Sequence, residues 1–220
     1  MNHASADQSV TAAAEPAPTS GNGTVHRPPP RRRNTEVRTR EYLTEREVEL
    51  LCKAAANGDT RRYGHRDATM ILLAFRHGLR VSELVGLQWD DADLKAATLH
   101  VRRLKGSIDG VHPLEGDELR ALRRLRAADP DARFMFTTER GGPMSAAAFR
   151  KMLSRLAATV APLANLKVHP HALRHACGFA QVNRGRDTRT LQAYMGHSQI
   201  ANTVRYTALE AGRFKGIWKK

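Results

Sequence analysis

Cysteine is nearly absent from this sequence: among 220 residues only Cys52 and Cys177 are cysteines, and neither stands in a C-x-x-C pair or a regular ladder. That pattern excludes a disulfide framework and a structural zinc site built on cysteine pairs. Aromatic residues make up 5%, too few for a surface that holds single strands mainly by stacking bases on rings. No stretch approaches about 18 uninterrupted apolar residues. The opening MNHASADQSVTAAAEPAPTS lacks the basic start and the apolar run of a secretory signal. A soluble cytoplasmic protein with no membrane contact is the expectation.

Acidic charge is in short supply as well. Asp and Glu total 22 against 36 Lys and Arg, a formal net charge of +14. A polyanion is the natural partner for such a chain, and with so few aromatics the backbone of double-stranded DNA fits better than single strands. Hydrophobic residues, at 41%, suffice for one domain with a tail. Residues 1–35 are rich in Ala, Ser, Thr, Gly and Pro and run into Arg27-Pro28-Pro29-Pro30-Arg31-Arg32-Arg33. Such a segment buries too little apolar surface to offset its ordering entropy and reads as a disordered, basic-ended tail. It holds four Arg against Asp7 and Glu15, so most of the positive charge belongs to the remainder.

From Thr44 the pattern turns helical. Thr44 and Glu47 form a capping box ahead of Val48, Leu50 and Leu51, and Asn57-Gly58-Asp59 ends that helix. A second helix is expected over 65–77, stopping at Gly78, and a short helical stretch over 80–87. Residues 98–102 alternate like a strand, with 110–114 as hairpin partner across the loop 105–109. Helix returns with Leu119, Leu122 and Leu125, and Ser145 caps a helix over 146–160. Pro170 opens another that reaches Asn183 and closes at Gly185. Asp187 caps the next, closed by Gly196, and a last helix spans 199–209. The fold class is mainly α with a small antiparallel β-sheet.

The most informative run is His169-Pro170-His171-Ala172-Leu173-Arg174-His175. In a helix begun by Pro170, His171 and Arg174 share a face near the positively polarised N-terminus, an arrangement suited to phosphate. Arg80 and Glu83 are also three apart, in Gly78-Leu79-Arg80-Val81-Ser82-Glu83-Leu84. Farther on come His197 in Met195-Gly196-His197 and Tyr206 in Thr203-Val204-Arg205-Tyr206-Thr207.

Together these residues resemble the tyrosine recombinase (phage integrase) family, whose catalytic domain orders an Arg, a hairpin Lys, a His-x-x-Arg pair, a His or Trp, and a Tyr nucleophile. The matching positions are Arg80, Lys105, His171 with Arg174, His197 and Tyr206. Within the family, the run 169–180 and the segment Ala211-Gly212-Arg213-Phe214-Lys215-Gly216-Ile217-Trp218 look most like the short invertases of the fimbrial switch. Met195 stands where Leu is commoner. The resemblance implies a tyrosine recombinase catalytic domain over 41–220 with no separate N-terminal core-binding domain.

It also implies an activity: site-specific cutting and rejoining of duplex DNA through a 3′-phosphotyrosyl intermediate, with inversion of a segment as one outcome. A homotetramer on paired DNA sites would do this without a cofactor or metal, with room for accessory DNA-bending proteins. Arg80 and Arg174 would bind the non-bridging oxygens as charge builds. Tyr206 would attack phosphorus. His171 would be the general base, Lys105 the acid that protonates the departing 5′ oxygen, and His197 a donor to the phosphate. Glu83 would orient Arg80. His175 reads as a packing residue, and Tyr194 as the next candidate nucleophile.

Three other readings use the same residues. A DNA-binding regulator without turnover would not need all six positions filled with usable chemistry. A type IB topoisomerase is disfavoured by the short chain and the invertase-like tail. A zinc site on His171 and His175 lacks the Glu of H-E-x-x-H and has Arg174 and Arg184 beside it.

Overall fold

A computed structural model of the chain describes residues 42–57, 61–104 and 106–207. The expected tail over 1–35, the hairpin Lys105 and the end of the chain from 208 lie outside the described residues. Within them, helices dominate: α1 (Glu45–Asn57), α2 (Arg61–Arg76) and the short α3 (Val81–Val85), then α4 (Gly116–Ala128), α5 (Ala146–Thr159), α6 (Pro170–Asn183), α7 (Thr188–Met195) and α8 (Ala201–Thr207). Between α3 and α4 lies a three-stranded antiparallel sheet, β1 (Ala92–Asp93), β2 (Thr98–Val101) and β3 (Gly110–Pro113), in the order β1-β2-β3. Thr98 pairs with Pro113 and Val101 with Gly110, so the expected hairpin forms. β1 joins through Ala92 opposite Leu99.

The elements begin and end where side chains satisfy exposed backbone groups. The Thr44 N–H donates to the Glu47 carboxylate at 2.7 Å and Glu47 N–H donates back to Thr44 Oγ1, which completes the box. Ser145 Oγ accepts from the N–H of Ala148 at the head of α5. Asp187 accepts from the N–H groups of Arg189 and Thr190 at the head of α7.

Helix α6 is the centre of the molecule. It packs against α1, α2, α5, α7 and α8, and ten of its fourteen residues are buried, Ala172, Ala176, Gly178 and Ala180 among them. These small side chains let its neighbours approach from several sides, while Leu51, Met70, Ile71, Leu73, Phe149, Leu153 and Leu173 fill the surrounding core. Cys177 is buried and Cys52 partly so. Burial pushes both thiols up to about 12, which keeps them protonated and inert.

The β2–β3 hairpin is fastened to the end of α7. The Ile108 N–H donates to the Gly196 carbonyl at 3.3 Å. Gly196 closes α7 at φ +64, and a Cβ there would meet the Ile108 carbonyl oxygen at 2.6 Å and Arg103 Cγ at 2.9 Å. Only glycine supplies both the left-handed turn and the space. Ile108 is thereby held beside the segment that carries His197. Among the described residues no helix is long and apolar enough to cross a membrane.

Candidate active site

Arg80 is the residue from which α3 starts. Its backbone N–H donates to Glu83 Oε2 at 2.8 Å and its guanidinium to Glu83 Oε1 at 2.7 Å, so one carboxylate caps the helix and aims the side chain. The Glu83 side chain is itself buried, with Arg103 donating to Oε2 at 2.9 Å. Burial works to raise the Glu83 pKa, but the Arg80 backbone N–H together with the two guanidinium groups outweighs it and holds the carboxyl below its ordinary value. The expected role of Glu83 toward Arg80 is the geometry found.

Arg174, on the first turns of α6, is 1% exposed. It donates to the carbonyls of Gly78 and Met195, the latter at 2.8 Å. Those carbonyls belong to the segments that carry Arg80 and His197, so one guanidinium ties the two to α6. Burial, then the nearby Arg103 and Arg80, lower its pKa to about 10, still protonated at neutral pH.

His197, just past the left-handed Gly196, has its Nδ1 2.8 Å from the hydroxyl of the fully buried Thr203. Burial, followed by Arg174 and Arg80, lowers its pKa to about 4. Tyr206, on α8, is buried; its ring lies parallel to His197 at 6.2 Å between centroids and edge-on to Phe179 at 5.3 Å. A Cβ at Gly178 would stand 2.7 Å from the Tyr206 ring, so α6 accepts the tyrosine only because that position has no side chain. Burial raises the Tyr206 pKa, while Arg174 and Arg205 oppose the shift.

The structure therefore brings Arg80, Arg174, His197 and Tyr206 into one electrostatic neighbourhood. His171 stands at its edge. It is exposed, and its ring meets His175 edge-on at 4.4 Å. Burial of its inner side, then Arg174, lowers its pKa. Here the geometry departs from expectation: the imidazole against the Tyr206 hydroxyl is that of His175, with Nδ1 3.1 Å from Oη. The i,i+4 spacing of His171 and His175 put both on one face, but nothing in the sequence says which of them α8 covers.

Arg103 was also beyond the reach of sequence. Besides Glu83 it donates to the carbonyls of Tyr194, His77 and Gly78 at 2.8, 3.1 and 3.3 Å. Tyr194, the reserve nucleophile, is taken out of contention by its surroundings. Its hydroxyl donates to the Arg76 carbonyl at 2.9 Å, its ring stacks on His112 at 4.0 Å, and burial pushes its pKa upward. Among the described residues no group of three His, Cys, Asp or Glu converges, so His171 and His175 have no third ligand there.

The model of the phage integrase family matches residues 41–213. The chain belongs to that family. Among curated proteins, it is 41% identical over 189 residues to the type 1 fimbriae regulatory protein FimE of Escherichia coli K12, covering 82% of this chain and 92% of FimE. FimB of the same strain is 41% identical over 186 residues, covering 82% of this chain and 90% of FimB. Among solved structures, the XerA recombinase crystal structure is 27% identical with a TM-score of 0.66, the match covering 80% of this chain and 62% of that one. The mainly helical domain with its small antiparallel sheet is a tyrosine recombinase catalytic fold, and the protein is a tyrosine site-specific recombinase. Its likeness to the fimbrial regulators agrees with the resemblance carried by the run 169–180.

Proposed function

We propose that this recombinase cuts and rejoins duplex DNA at specific sites through a 3′-phosphotyrosyl bond on Tyr206, and that inversion of a DNA segment is its outcome. The observation that carries the reading is the placement of the Tyr206 hydroxyl, buried among imidazoles, in the field of Arg174 and Arg80. A phosphodiester resists attack because it is already negative. Preorganised cations offset that charge as the trigonal-bipyramidal state forms. Two Arg174 contacts go to backbone carbonyls, which fix the fork, and its other donors serve the non-bridging oxygens alongside Arg80. With Nδ1 engaged by Thr203, His197 offers Nε2 to the same phosphate.

The Oη–P bond forms as the P–O5′ bond breaks. The hydroxyl proton passes to an imidazole of α6, and Lys105 supplies a proton to the 5′ oxygen. The energy of the broken bond is kept in the phosphotyrosyl ester, so rejoining to another strand needs no nucleotide. Several solved relatives are recombinases bound to DNA, and the charge of +14 suits that partner here. We extend the reading to a homotetramer on two sites, assisted by DNA-bending proteins, because inversion joins four strand ends in one complex.

The test is covalent capture on a nicked suicide substrate built on an inverted or direct repeat found by sequencing the DNA that flanks the gene. Wild-type protein forms an adduct resistant to denaturant; Tyr206→Phe forms none and keeps its DNA affinity. DNA binding without any wild-type adduct would mark a silent regulator, and an adduct with Tyr206→Phe would remove Tyr206 from the reaction.

A further inference from the structure

We propose that His175 is the catalytic base of the cleavage step, accepting the Tyr206 proton on Nδ1 as Oη attacks phosphorus. The inference rests on the reading of Tyr206 as nucleophile and adds the atom that receives its proton. The contact is direct, 3.1 Å from Nδ1 to Oη, between two side chains that are both buried. Only this orientation of the hydrogen bond suits the chemistry: the hydroxyl donates, Nδ1 carries no proton, and the ring's own hydrogen sits on Nε2.

The surroundings keep the base in that form. Burial leads in lowering the His175 pKa to about 3, followed by His171 on its own helix, Arg205 from α8, His169 at the helix head and, last, Arg174. In the free protein the proton stays on the phenol, whose own pKa burial raises. The negative charge of an incoming phosphodiester, together with that developing on Oη as it gives up its proton, offsets Arg205 and Arg174 and stabilises the imidazolium that burial, the leading cause, disfavours in the free protein. The nucleophile is thereby armed by the substrate's own charge. The balance closes: Nδ1 gains the proton that Oη loses, Oη–P forms as P–O5′ breaks, and on rejoining the imidazolium returns the proton to the departing phenolate.

Loss of a proton acceptor can be separated from loss of packing, because only the former is relieved by a more acidic phenol. His175→Gln should lower the rate of covalent capture by about 100- to 10,000-fold with DNA affinity unchanged. Placing a ring-fluorinated tyrosine at 206 in that variant should recover much of the loss. The same fluorination in His171→Gln should recover none. Rescue confined to the His171 variant, or absent from both, overturns the assignment. An adduct that forms on Tyr206 independently of His175 sinks the base while sparing the nucleophile, whereas an adduct with Tyr206→Phe sinks the nucleophile itself. Should His175→Gln not fold, nitrogen NMR of the wild-type imidazoles decides. The proposal requires an unprotonated Nδ1 and a protonated Nε2 on His175 in the free protein, and the opposite tautomer overturns it.

Discussion

Arg103 and Glu83 meet at 2.9 Å with both side chains 1% exposed, joining the β2–β3 hairpin to the carboxylate that aims Arg80. A buried ion pair is costly to break from one side, because the surviving charge keeps its desolvation penalty and loses its partner. Arg103→Ala should therefore destabilise the protein by about 3–5 kcal/mol. It should also slow cleavage, since Glu83 would be left to Arg80 alone. Urea denaturation measures the first effect. A loss below about 1 kcal/mol would put the pair in the class of exposed ion pairs and remove its fastening role.

What the sequence allowed to be read follows from the range of each interaction. Pro170 and Gly185 bracket a helix by local chemistry, and α6 runs from Pro170 to Asn183 as expected. Arg80 and Glu83 are three apart, so their pairing was legible too. The start of α2 was not: Arg61-Arg62-Tyr63-Gly64 has no apolar repeat, and the helix nevertheless begins at Arg61. β1 is two residues long and shows no alternation. Arg103 was invisible for a different reason, since its acceptors on His77 and Tyr194 lie 26 and 91 residues away. His175 was placed on the correct helix face, but only the docking of α8 reveals the tyrosine against it.

Gly178→Ala offers a clean separation of folding from chemistry. In a helix, alanine is favoured over glycine by about 1 kcal/mol, so the variant should fold. Its Cβ would nonetheless meet the Tyr206 ring at 2.7 Å and displace the hydroxyl from His175. Misplacement of a reacting atom by about 1 Å costs on the order of 100-fold. Covalent capture should fall by that order while DNA affinity holds. Capture at the wild-type rate would show that the ring position in this structure is not the one that reacts.

Stability should fall on mild acidification. Burial, with neighbouring cations, lowers His112 and His175 to about 3 and His197 to about 4. In the unfolded chain each titrates near 6.5. Below that pH the unfolded state binds protons that the folded state refuses, so the stabilisation present above 6.5 is lost as pH drops toward the folded values. Each histidine contributes up to about 1.4 kcal/mol per pH unit in that window. Denaturation midpoints measured from pH 7.5 to 5 should decline well above the carboxylate range. A flat profile there would mean the three imidazoles are not held neutral.

Deleting residues 1–33 should weaken binding to any DNA sequence and flatten its salt dependence. The segment carries four Arg and only two acidic residues, and cations without a base-reading scaffold act chiefly by releasing counterions. Binding isotherms across a salt series measure the slope. An unchanged slope would mean the segment does not touch DNA.

The proton given to the departing 5′ oxygen can be isolated through the leaving group. An alkoxide leaves poorly without a proton, whereas a thiolate, whose conjugate acid resembles a Cys thiol near 8.5, leaves readily without one. Lys105→Ala should therefore cleave ordinary DNA slowly and recover much of its rate on a substrate with sulfur at the 5′ bridging position. Arg174→Ala should stay slow on both, because its contacts are to the non-bridging oxygens, which the sulfur leaves unchanged. His175→Gln belongs with Arg174 in this experiment, since the proton it accepts comes from the attacking oxygen and not from the leaving one. Equal rescue of the Lys105 and Arg174 variants, or of neither, would take the general-acid role from Lys105. In that case His197, held beside the hairpin by the contact between Ile108 and Gly196, becomes the group to test next.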